Sequence, residues 1–168
     1  IQEKKDRPEL VAKLTENVHQ AKVTKALVMA SQGNVSEGRA LINTLKPTLP
    51  SELATLADFK LCQILIQTKQ FEEATISAEE LAKLPGLPLQ LLQEITQFGY
   101  ESLSNEAEPP KKLALALANL AAIASSNRPT DPVPLDTQAH LLALAGDLDQ
   151  AIEIEERALS LDDGTYQS

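Results

Sequence analysis

Three stretches of the chain share one pattern of apolar and polar positions: 29–45 (MASQGNVSEGRALINTL), 64–84 (ILIQTKQFEEATISAEELAKL) and 141–161 (LLALAGDLDQAIEIEERALSL). In each, an apolar run ends in a polar turn and a hydrophobic residue follows (Val35, Phe71, Leu148). A small residue then stands three places on (Gly38, Ala74, Ala151). The turn pairs are Gly33-Asn34, Lys69-Gln70 and Gly146-Asp147. Apolar residues on both sides recur at three- and four-residue spacings. This predicts the end of one helix, a tight turn and an amphipathic second helix.

The remaining segments fit around these three. Residues 1–7 are polar and read as a lead-in, with Pro8 expected in a first helical turn, where its missing N–H costs nothing. Residues 9–32 hold no Pro or Gly. Leu10, Val11, Leu14, Val18 and Ala21 form one stripe, and Val23, Ala26, Leu27 and Ala30 continue on a rotated face. The segment is therefore either one rod or two helices bent near 19–22. Its partner, capped around Ser36, runs to about Lys46. Pro47 and Pro50 bracket a connection, Ser51 and Glu52 open a helix to about Thr68, and Pro85-Gly86 stops its partner after 84. Pro88 starts a helix through Leu103 with Gly99 inside it, and SNEAEPP (104–110) breaks the pattern. Residues 112–125 are Ala and Leu almost throughout, which predicts the most buried helix. NRPTDPVP (127–134) reads as a loop, 135–145 and 148–161 as a last pair, and 162–168 as a fraying end. The total is eight helices in four antiparallel pairs, about 9–46, 51–84, 88–126 and 135–161.

Composition supports an all-α fold. Hydrophobic residues make up 43% of the 168, yet only 3% are aromatic and Trp is absent, so Leu and Ala carry the core. A β-sandwich or barrel needs many more β-branched and aromatic residues. The length suits one domain. The formal charge of −9 speaks against nucleic-acid binding, which requires a basic surface to displace counterions. The charge is also unevenly spread. Residues 1–25 hold six Lys/Arg against four Asp/Glu, and residues 129–168 hold nine Asp/Glu against one Arg. The acidic end serves solubility or docks a basic partner. No run of eighteen apolar residues predicts a membrane span. The start at Ile1 suggests a processed protein or part of a longer one. A soluble location, cytoplasmic or periplasmic, is expected.

Candidate chemistry is sparse. Cys62 is the only cysteine and sits among Leu61, Ile64 and Leu65, so it reads as a small core residue. His19 and His140 are far apart and lack partners at metal spacing. Glu72-Glu73, Glu79-Glu80 and Glu153-Glu155-Glu156 could pair carboxylates for acid–base work, but on amphipathic helices they read as the solvated face. Asp162-Asp163-Gly164 is too short for a calcium loop, and no phosphate-cradling glycine loop or nucleophile elbow occurs. No catalytic residue, metal ligand or cofactor is assigned, and the chain is not expected to be an enzyme.

With Ala116 as the small residue of the third pair, the markers Gly38, Ala74, Ala116 and Ala151 lie 36, 42 and 35 residues apart. Such spacing is that of stacked helix pairs. The residues resemble the tetratricopeptide repeat, best in GDLDQAIEIEERAL (146–159), with its Gly-Asp turn, Ala151 and Ala158. The match is good in 64–84 and fair in 29–45, where Gly38 replaces the usual Ala. Bulky aromatics expected in each first helix are missing, and the third unit is stretched by its loop. The last pair also resembles the terminal repeat that follows thioredoxin-like domains in some bacterial proteins, which points to a bacterial source. The resemblance implies a right-handed α-α superhelix whose first helices line a concave surface that holds a protein or peptide. On this chain the implied lining residues are Phe59, Gln63, Ile66 and Gln67, then Asp136, His140 and Leu144. The other role it leaves open is a spacer or dimerisation surface, packed on a neighbouring domain or forming a homodimer.

Overall fold

The computed structural model describes residues 3–161, with side chains over 8–161, and every regular element in that span is helical. The helices are α1 (Glu3–Ser31), α2 (Val35–Leu45), α3 (Ser51–Gln67), α4 (Phe71–Ala82), α5 (Leu89–Leu103), α6 (Lys111–Asn127), α7 (Pro132–Ala145) and α8 (Leu148–Leu161). A short 3-10 turn, Lys46–Thr48, follows α2.

Local chemistry accounts for three departures from expectation. α1 is one rod that begins at Glu3, so Pro8 lies inside it rather than in its first turn. α2 starts after Asn34, not at Ser36. α7 begins within the proline-rich stretch. Asp131 caps it by accepting from the Val133 N–H at 3.1 Å, and Pro132 occupies the first turn, where no N–H is required. The expected fraying of 162–168 falls outside the described residues.

The chain divides into two compact units, Ile1–Ile64 and Leu65–Ser168, with the division inside the last turn of α3. In the first unit α1 packs on α2, and Val23, Ala26 and Ala30 are buried, as are Val35, Gly38, Ile42 and Leu45. Gly38 permits the close approach. A Cβ there would stand 2.6 Å from the Ala26 carbonyl oxygen and 3.2 Å from the Ala30 Cβ. A 2.7 Å ion pair joins Lys46 to Asp58 on α3. The apolar stripe Leu10, Val11, Leu14 and Val18 at the other end of α1 is exposed.

In the second unit α6 packs against α4, α5 and α7, while α7 packs in addition on α5 and α8. Eight residues of α6 are buried, with Leu115 and Asn119 exposed among them. Its neighbours on several sides explain why an almost wholly Ala and Leu segment is stable here. Gly99 of α5 makes room for Leu117, whose Cδ1 would collide with an added Cβ. Cys62 of α3, in the first unit, is fully buried.

The repeated turn is one backbone device used three times. Gly33, Lys69 and Gly146 are left-handed, with φ of 91°, 58° and 89°. The next N–H (Asn34, Gln70, Asp147) reaches back to the carbonyl of Met29, Leu65 or Leu142 at 2.9, 2.9 and 3.0 Å. This pattern satisfies the last carbonyls of a helix. The same turn residues then open the following helix. The carbonyls of Asn34, Gln70 and Asp147 accept from the N–H groups of Gly38, Ala74 and Ala151. The small markers therefore occupy equivalent backbone positions, and all three are buried.

Candidate interaction surface on α7 and α8

The spacing within α8 gives it two distinct faces. Ala151 and Ala158, seven residues apart, are buried, and α8 packs on α7. Leu148, Ile152, Glu155 and Leu159 follow one another by four, three and four residues, which puts them along one side of the helix. Leu148, Ile152 and Leu159 are each about 60% exposed, so this stripe is not spent on the core. Between it and α7 lies an open groove of about 340 Å³, floored by the buried Ala139 and Ala151 and lined also by the exposed Ala143 and by His140, Ile152 and Glu155.

The polar groups at this groove are few and placed at its edge. The Glu155 Oε2 is shielded from solvent and makes no hydrogen bond, on a side chain that is only half-buried. The His140 ring tilts against Tyr100 of α5, with centroids 5.0 Å apart. Its Nδ1 lies 3.0 Å from the Asp136 carbonyl oxygen and 3.5 Å from the Asp136 Oδ2. Nδ1 donates there only when it carries the proton. An alanine floor, aliphatic walls and a carboxylate edge suit aliphatic side chains together with a nearby cation. Among the described residues, no group of three or more His, Cys, Asp or Glu could hold a metal ion.

The residues singled out by resemblance are distributed as follows. Phe59 and Ile66 are core residues, each 2% exposed. Lys60 extends over the Phe59 ring with Nζ 4.9 Å from the centroid and donates to the Gln63 Oε1 at 2.8 Å. Gln63 is half-buried and Gln67 exposed. Asp136, His140 and Leu144 recur every four residues along α7, but of the three only His140 borders the groove. The sequence reading passed over Leu148, Ile152, Ala143 and Glu155. The signal was present in the spacing of α8, but Glu155 was grouped with a solvated face and Leu148 with the turn.

The described residues are all-helical, with an open, largely apolar groove between α7 and α8. Comparison with protein-family models, curated proteins and solved structures gave no match. Among the described residues no helix is long and apolar enough to cross a membrane.

Proposed function

We propose that the chain is a non-catalytic interaction module, a tetratricopeptide-like solenoid that holds a segment of a protein partner. The observation that carries this reading is the α7–α8 groove, where aliphatic side chains surround a floor of alanine and a carboxylate oxygen lacks a donor. Supporting it, α4 packs on α6 and α5 packs on α7, the order of two stacked layers in a repeat array. The shared turn at Gly33, Lys69 and Gly146 adds a second repeated feature.

The test is selection of peptides on the immobilised chain, followed by affinity measurement on two variants. Binding of the selected peptides should weaken about tenfold or more in Ile152→Lys and measurably in His140→Ala, since both side chains border the groove. Peptides that bind both variants as well as the parent would sink the reading. A spacer or self-association role is the second reading, favoured by the exposed apolar stripe of α1.

A further inference from the structure

We infer that the segment held by the α7–α8 groove is α1 of a second copy of this chain, so that copies associate head to tail. The inference rests on the reading of that groove as a docking surface and names its occupant. Two apolar stripes are left open. One is Leu10, Val11, Leu14 and Val18 on α1, all half exposed or more, and the other is Leu148, Ile152 and Leu159 on α8. The α1 stripe is not the face used on α2, whose contact draws on Val23, Ala26 and Ala30 farther along the rod.

Charge distinguishes the two stripes. On α1, exposed Lys22 and Lys25 follow the apolar stripe on its own side, four and seven residues past Val18, whereas Glu9 and Glu16 lie on the opposite side with Lys13 between them. On α8 the stripe itself contains Glu155, with Glu156 beside it and an Oε2 on Glu155 that has no donor. Apolar residues flanked by ammonium groups therefore meet apolar residues flanked by carboxylates, and neither stripe is complementary to itself. Such a contact is heterologous, and each added copy leaves one free stripe at either end.

Sedimentation of the chain over about 10 µM to about 1 mM should show a mass that rises with concentration, the range in which a small apolar and ionic contact is populated. Leu14→Glu and Ile152→Lys, both at exposed positions, should each leave the helical circular dichroism unchanged and the chain monomeric. Mixing these two variants should restore association but stop at one-to-one pairs, because only one intact stripe of each kind remains. A monomer throughout the range would overturn the inference. So would association that Ile152→Lys abolishes and Leu14→Glu leaves intact, since that marks an isologous α8 contact. If the chain stays monomeric while selected peptides still bind at Ile152, the self-association falls and the proposed function stands. If neither occurs, both fall.

Discussion

Helices α6 and α1 both carry apolar residues at helical spacing, and their burial is opposite. In α6, Leu113, Leu117 and Leu120 have no exposed surface, because α4, α5 and α7 pack against the helix from different sides. In α1, residues from Leu10 to Val18 are exposed, and the rod is held on α2 through Val23, Ala26 and Ala30. Apolar content alone does not decide burial. Burial requires a neighbouring surface, and one helix partner can cover only one side. The hydrophobic contribution of α6 belongs to the fold, whereas that of the first half of α1 remains available for association.

Four tests, using five substitutions, break or sharpen this contrast, each measured by denaturant unfolding. Leu117→Ala should be the most damaging, about 3 kcal/mol, because it empties a fully buried site between α5 and α6. A cost below about 1 kcal/mol would mean that α6 is not packed as described. Gly38→Ala should cost about 2 kcal/mol, since its Cβ meets the backbone of α1 at Ala26, which cannot rotate away as a side chain can. Tolerance of that methyl group would show that α1 is not seated on α2.

The third test uses the shared turn, and its two members should move in opposite directions. Gly146→Ala should cost about 1 kcal/mol by placing a Cβ on a left-handed residue. Lys69→Gly should gain up to about 1 kcal/mol at the equivalent position. The gain is trimmed only by loss of the 2.7 Å Lys69–Glu106 ion pair, whose lysine is mostly exposed. Equal signs would contradict the equivalence of the two turns. Last, Leu14→Ala should shift stability by less than about 0.5 kcal/mol in dilute monomer, the direct counterpart of Leu117→Ala. A larger loss would place Leu14 in a folded contact.

Local pattern carried the all-helical class and the number of helices. The boundaries of α2 to α8 were legible to within a few residues, since each is marked by Gly, Pro or a polar pair. Lys69-Gln70 was recognisable as a turn by its place between two apolar runs, although lysine is an unusual residue for a left-handed site. The beginning of α7 was missed because three prolines in eight residues signal a loop unless two of them fall in a first helical turn. The candidate surface was less legible. His140 was singled out, but Phe59 and Ile66 lie in the core, and the residues opposite His140 came from α8 rather than from a row of first helices.

What the sequence by itself determined is the set of helices, the turns between them and the small residues that let paired helices approach. These depend on neighbours within about seven positions, where backbone preference and side-chain spacing act directly. Only the tertiary structure decided which apolar stripes are covered. Leu10 and Leu117 are the same side chain at similar helical spacing, and they differ because other helices surround one and leave the other in water. That is a property of packing between distant segments, and no local pattern encodes it.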